Sequence, residues 1–268
     1  MTLLKTAALA AALLTAAGQA AAASPPERLT LRYALYVGGL SALDGAVELT
    51  SRPGGYEVHL AAETKGLIGW LAEWRTRSVS RGAWRGGEAA TQEHESHNVW
   101  RGEPRSVNLR YDAAGAASVT AAPDAAADDR DPIPAEMLRA TLDPLSGFLA
   151  VMEALRRGEG CGRTIAAFDG RRRFDMRFRD LGAETLPAGG YSSFDGKARR
   201  CAVEYVAIAG YKRNAERNVF WRSSGGERPP VQVWFAEVAP GAPPAPVRME
   251  TDTPFGAVVA HLRGVETQ

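Results

Sequence analysis

The sequence is poor in the residues and motifs that announce chemistry. Its 268 residues include four histidines and two cysteines. It has no Gly-x-Ser-x-Gly, no His-Glu-x-x-His, no Cys-x-x-Cys and no glycine-rich phosphate loop after a strand. Nucleophile elbows, zinc proteases, dithiol redox sites and nucleotide cradles therefore leave no signature here. No cofactor is expected and no catalytic residue is assigned. The 32 Lys and Arg against 31 Asp and Glu argue against bulk nucleic-acid binding. No long repeat is present. Glu93-His94-Glu95-Ser96-His97 invites a metal reading. On a strand, however, His94 and His97 point to opposite faces and cannot easily share one ion. No metal site is assigned.

What is there begins with the first 23 residues. Met1 and Lys5 form a small positive start, Thr6 to Ala17 is rich in Ala and Leu, and Ala21-Ala22-Ala23 precedes Ser24-Pro25-Pro26. This is the pattern of a secretory signal peptide, with cleavage expected after Ala23. The run is short for a membrane span, and nothing later approaches that length. A periplasmic or secreted location follows, with residues 24–268 as a single mostly β domain. Taking 23 residues from 268 leaves 245, and removes Lys5 but no acid, so 31 basic residues face 31 acidic ones.

Export changes the reading of the cysteines. In an oxidising compartment two cysteines are more often bonded than free, so Cys161 and Cys201 are paired; two separate buried thiols are the alternative. A closed loop of about 40 residues could contribute ~4 kcal/mol.

The stretch between them reads as two hairpins, each turned by Phe-Asp-Gly. Asp169-Gly170 is read as a two-residue turn. Thr164 to Phe168 precedes it. After it, Phe174, Met176 and Phe178 alternate with charged residues. Asp195-Gly196 leads into a strand where Cys201, Val203 and Tyr205 share a face. The stretch holds nine basic and five acidic residues. Arg171, Arg172, Arg173, Arg199 and Arg200 carry most of that excess. They suit contact with anionic lipid headgroups or another acidic envelope component, or simply a solvated strand face.

Elsewhere strands dominate. Leu29 to Val37, Ala46 to Ser51 and Tyr56 to Ala62 alternate and are separated by Gly38-Gly39 and Pro53-Gly54-Gly55. Gly66 to Trp74 breaks the alternation. Its Leu67, Ile68, Trp70, Leu71 and Trp74 are candidate ligand contacts, at a cavity mouth or on a membrane surface. The plainer reading is a segment packed over one end of the sheet. Further strands are expected over 75–84, 91–100, 106–111 and 117–121. Residues 113–134 read as a long surface loop. One helix is clear. Asp143 caps it, Pro144 opens it, Leu145, Phe148, Leu149, Met152 and Leu155 face one way, and Gly158 ends it. Strands are expected again over 202–208, 216–221, 231–237, 247–251 and 257–262.

Several of these features recur together. Tyr33-Ala34-Leu35-Tyr36-Val37-Gly38-Gly39-Leu40 with Gly45, Asp143-Pro144-Leu145-Ser146, Cys161, Phe168 to Phe174, Cys201 and Pro246-Val247-Arg248 resemble an exported bacterial family, domain of unknown function 3108. The resemblance spans roughly residues 29–263. It implies an exported, mostly β protein and carries over no catalytic residues.

The expected fold is a large curved antiparallel sheet, an open or half barrel, packed on one α-helix and similar in outline to the lipoprotein-carrier fold. Three functions compete. The first is a non-enzymatic envelope protein holding a lipid or other amphiphile inside the curved sheet. The second is a structural or partner-binding periplasmic module, using a sheet edge or the arginine-rich face. The third, an enzyme on an envelope polymer, needs acidic residues converging in a cleft.

Overall fold

The computed structural model describes residues 26–124, 130–212, 229–253 and 256–268. The signal-peptide segment 1–23, the expected strand 216–221 and residues 125–129 of the expected loop lie outside the described residues.

Seven strands follow one another: β1 (Arg28–Val37), β2 (Leu40–Arg52), β3 (Gly55–Thr64), β4 (Trp74–Arg85), β5 (Glu88–Trp100), β6 (Glu103–Tyr111) and β7 (Ala117–Ala122). A short helix, α1 (Gly66–Leu71), joins β3 to β4. After β7 come one 3-10 turn (Ala135–Leu138) and the main helix, α2 (Pro144–Arg156). Six more strands follow among the described residues: β8 (Arg163–Phe168), β9 (Arg173–Leu186), β10 (Gly196–Ala209), β11 (Val231–Ala236), β12 (Ala245–Thr253) and β13 (Gly256–Thr267).

The 13 strands of the described residues belong to one antiparallel sheet, ordered β7-β6-β5-β4-β3-β2-β1-β13-β12-β11-β10-β9-β8. The two meanders are joined where the first strand pairs with the last, Leu31 opposite Val265 and Leu35 opposite Ala260. Tight turns need positive φ, which glycine supplies at low cost; Gly38 and Gly39 adopt +55° and +85° between β1 and β2.

The sheet does not close, because β7 and β8 lie at opposite ends of the order. The chain between them straps the gap. Ala116 bridges Arg139, and Leu142 bridges Ala167 on the outer edge of β8. Phe168 of β8 is buried with Val107 and Leu109 of β6. At the same junction a Cβ on Gly170 would lie 2.2 Å from Val107 Cγ1. The result is an open barrel whose gap is spanned by isolated bridges and the Phe168 contact.

Helix α2 is held against this sheet by its sequence. Asp143 accepts hydrogen bonds from the backbone of Leu145 and Ser146, and Pro144 sits where its missing N–H costs nothing. The helix buries Leu149, Val151 and Met152. They join one continuous core with Leu29, Leu31, Val58, Phe174, Met176, Phe178, Val233, Phe235 and Leu262. At Gly147 the helix comes so close to β9 that a Cβ would meet the Met176 methyl at 2.3 Å. The expected fold class is the one observed.

The disulfide forms between Cys161 and Cys201, both fully buried. It ties the α2–β8 connection to β10 across the intervening strand. The hairpins differ from the sequence reading. The first turn has four residues rather than two, since Phe168 pairs with Arg173. Asp169 Oδ1 accepts from the backbone of both Arg171 and Arg172 and so stabilises the longer turn. The second Asp-Gly is no tight turn. Leu186 pairs with Gly196, so Asp195 ends a long connection and β9 serves both hairpins.

Candidate functional site

Three places on this frame combine unusual chemistry with a defined geometry. The first is buried. Inward positions of β4 and β5 would be apolar in an ordinary core, yet they hold Thr76, Ser78, Ser80, Thr91 and His94, all buried. Register places Ser80 opposite His94 and Ser78 opposite Ser96. The carboxylate of Asp143 meets them from the start of α2. Ser80 Oγ donates to Oδ1 at 2.6 Å and Thr91 Oγ1 to Oδ2 at 2.8 Å. Leu145 and Ser146 N–H groups add 2.9 and 3.1 Å bonds to Oδ1. His94 Nδ1 lies 2.8 Å from Ser80 Oγ and 3.2 Å from Asp143 Oδ1.

Burial alone would raise the Asp143 carboxyl. The hydrogen bond and charge of His94, with bonds from Ser146 and Ser80, outweigh burial and hold it down at about 2. A serine, a histidine and an aspartate in contact suggest a catalytic triad, but the roles are wrong. In a triad the serine gives its proton to one ring nitrogen while the carboxylate holds the other. Here Ser80 gives its one proton to Asp143, and both groups crowd the same Nδ1, which is left as donor. The cluster is a clamp that fastens the helix start to β4 and β5.

The second place is exposed. The turns β1–β2, β3–β4 and β5–β6 lie at one end of the sheet. They present Leu40, Leu67, Trp70, Leu71 and Trp100 to solvent. Helix α1 buries none of its residues; Trp70 is 81% and Leu67 63% exposed. Trp74 begins β4 directly opposite Trp100, on the strand face that also carries Ser78 and Ser80. The candidate contacts Leu67, Ile68, Trp70, Leu71 and Trp74 therefore lie together at one rim. Gly66 to Trp74 divides into the single helix α1 and the start of β4.

The third place is a cleft of about 830 Å³ on the outer face of β1 to β5. Its floor mixes small residues, Ala34, Ala46 and Ala61, with charged ones. One cross-strand row runs Arg32, Ala46, Ala61, Arg77, His97. The next runs Ala34, Asp44, Glu63, Arg75, Val99. The β9–β10 connection folds over β13 and touches two of the lining residues, Arg263 and Tyr36. Ser193 N–H bonds Leu262 O at 2.8 Å, Arg263 donates to Gly190 O at 2.9 Å, and the Tyr191 ring meets Tyr36 edge-on. Two carboxylates do converge here, Asp44 and Glu63. Both are half exposed or more, and Lys65 reaches both, at 3.0 and 3.7 Å. Nothing gives the two different environments, which a general acid and a general base require.

The arginines singled out from the sequence occupy two separate places, and each has a partner. Arg171 donates to Pro123 O, Arg172 pairs with Asp169 and Arg173 with Asp175, all around the β8–β9 turn. On β10, Arg199 pairs with Asp180, while Arg200 bonds Gln232, approaches Glu184 and stacks on Trp234. His94 faces inward and His97 outward, as their spacing on a strand requires.

Sequence reasoning missed the clamp and the cleft. Thr76, Ser78 and Ser80 repeat with period two, as do His94 and Ser96, and that pattern could have flagged a polar inner stripe. The cleft rows join residues up to 65 positions apart, Arg32 to His97, and only the strand register aligns them.

No curated protein matches this sequence. A solved structure described as a beta-barrel-like protein of domain of unknown function DUF1849, from Brucella abortus, has a similar fold. Its TM-score is 0.51 at 12% identity, covering 92% of this chain and all of that one. The hypothetical protein CT021 from Chlamydia trachomatis gives a TM-score of 0.28 at 10% identity, over 91% of this chain and 88% of its own. The likeness to the Brucella structure, at 12% identity, concerns the fold alone. Residues 32–263 match the family described as "Protein of unknown function (DUF3108)", and the chain belongs to that family.

Proposed function

We propose that this protein is an exported, non-enzymatic envelope protein, with residues 24–268 as one domain, that attaches to lipid through its rim. The observation that carries the reading is the cluster of exposed apolar residues on neighbouring turns, with Trp70 at 81% exposure as its extreme. A soluble protein rarely leaves such a cluster bare unless something covers it. Tryptophan favours the boundary between water and acyl chain. Burying each large apolar side chain contributes roughly 1.5–3 kcal/mol, so three or four suffice for reversible attachment.

The structure moves this reading away from its sequence-based form. Space beneath the sheet is occupied by α2 and a continuous core, so the lipid contact is drawn at the rim rather than inside. The charges there balance. Lys65, Arg75, Arg101 and Arg105 are matched by Asp44, Glu63, Glu73 and Glu103. Attachment should then be apolar and insensitive to salt. The buried disulfide and the sequence of residues 1–23 support export.

Vesicle flotation tests the attachment. Mature protein should float with neutral phosphatidylcholine vesicles equally at low and high salt. The Leu67→Ser/Trp70→Ser variant should stay with the soluble fraction. Wild-type protein that fails to float with neutral or anionic vesicles would sink the reading, and would direct attention to a protein partner at the same rim.

A further inference from the structure

The outer cleft has a charge pattern that the rim attachment does not use. Two pairs of guanidinium groups face each other across its floor. Arg32 and Arg263 stand on β1 and β13, and Arg75 and Arg77 on β4. In the row that joins Arg32 to Arg77 the intervening residues are Ala46 and Ala61; in the next row Asp44 and Glu63 lie between β1 and Arg75. Three strand spacings separate the Arg32 and Arg77 backbones, about 14 Å. A molecule with two anionic ends could engage both pairs at once.

The carboxylates nearby offset these charges only in part. Asp44 and Glu63 are held by Lys65. Arg32 leans on Glu266 at 3.1 Å and Arg75 on Glu73 at 3.7 Å, both exposed pairs. Such pairs contribute little and yield to a better partner. Among the described residues Arg263 has a neutral carbonyl partner, Gly190 O. Arg77 is exposed and has no hydrogen-bond or ion-pair partner among the described residues. The cleft volume, about 830 Å³, suits a small molecule or one lipid headgroup. Side chains of alanine size leave room for a neutral spacer to lie flat across β2 and β3.

The geometry points to this cleft as a binding site for a bis-anionic ligand. Its two phosphate or carboxylate groups would be gripped by the two arginine pairs, and its neutral spacer would rest on Ala46 and Ala61. Planar guanidinium forks are well matched to such groups. The source is either a soluble bis-anion or a lipid headgroup bearing two phosphates.

Titration calorimetry of the mature protein tests this, with fructose 1,6-bisphosphate as the probe and inorganic phosphate as the one-ended control. The bisphosphate should bind at least tenfold more tightly. That advantage should vanish in Arg32→Ala/Arg77→Ala and persist in Trp70→Ser, which leaves the cleft intact. All these residues are exposed, so circular dichroism should show an unchanged fold. Equal affinity for the two probes would overturn the proposal, as would an advantage that survives the double substitution. Vesicles containing cardiolipin, whose headgroup carries two phosphates, then separate the sources. Displacement of the bound bisphosphate identifies a lipid headgroup; bisphosphate binding that the vesicles leave unchanged identifies a soluble ligand.

Discussion

The two ends of the β1–β6 meander invert the usual rule of polarity. At the end beneath α2, polar groups are buried: Asp143, Ser80, Thr91 and His94 lie within the fold. At the other end apolar groups are bare: Leu40, Leu67, Trp70, Leu71 and Trp100 face solvent. The same strands connect both ends, so fold alone does not dictate either choice. The buried end is specific at a cost, since every polar group there must find a partner. At the bare end α1 buries none of its residues. The comparison gives one end a packing role, and surface contact at the other is what we propose.

The sharpest way to break that comparison is Asp143→Ala. It would leave the Ser80, Thr91 and His94 donors unsatisfied and remove the cap of α2. We expect a loss of about 3–5 kcal/mol, read by urea unfolding. Asp143→Asn keeps a capping oxygen but loses the charge, and should fall between the two. A loss under about 1 kcal/mol for Asp143→Ala would mean that the clamp is decorative and the contrast false.

Acid acts on the same group more gently. The Asp143 carboxyl is held at about 2, below its ordinary 3.8. A lowered folded-state value stabilises the fold above the unfolded value and loses that stabilisation as pH falls through the folded one. The window is therefore roughly pH 4 down to 2, and the loss on the order of 2 kcal/mol. Unfolding midpoints measured across that window should drop in wild type. In Asp143→Asn the part of the slope due to this residue should be missing.

Much of this architecture is legible in the sequence because its signals are local. Alternation from Leu29 to Val37 and from Phe174 to Phe178 finds strands, and Asp143-Pro144 with Gly158 finds both ends of the helix. Two cysteines behind an export-like segment find the disulfide. The rim residues Leu67, Trp70 and Leu71 stand out because they interrupt the alternation. What stays hidden depends on pairing. Alternation shows that β4 has two faces, but Ser78 and Ser80 on one and Arg77 and Val79 on the other do not say which is inside. Asp169-Gly170 and Asp195-Gly196 look alike as dipeptides. The first is drawn into a four-residue turn by its own carboxylate, and the second merely starts a strand. The cleft exists only once Arg32, Ala46, Ala61 and Arg77 share a row.

The smallest expected effect is the most informative about the bare end. If α1 were a segment packed over the sheet, Trp70→Ser would remove buried apolar area and destabilise the fold by 2 kcal/mol or more, as large-to-small core changes do. Trp70 is 81% exposed, and α1 buries none of its residues. Trp70→Ser should therefore change urea stability by less than about 0.5 kcal/mol, while Met176→Ala, fully buried beneath α2, should cost about 2–5 kcal/mol. Near-wild-type stability together with lost flotation would separate contact from packing at a single residue. A loss above about 1 kcal/mol would place Trp70 in the fold's own stability, and the exposed end would then have to be explained as packing after all.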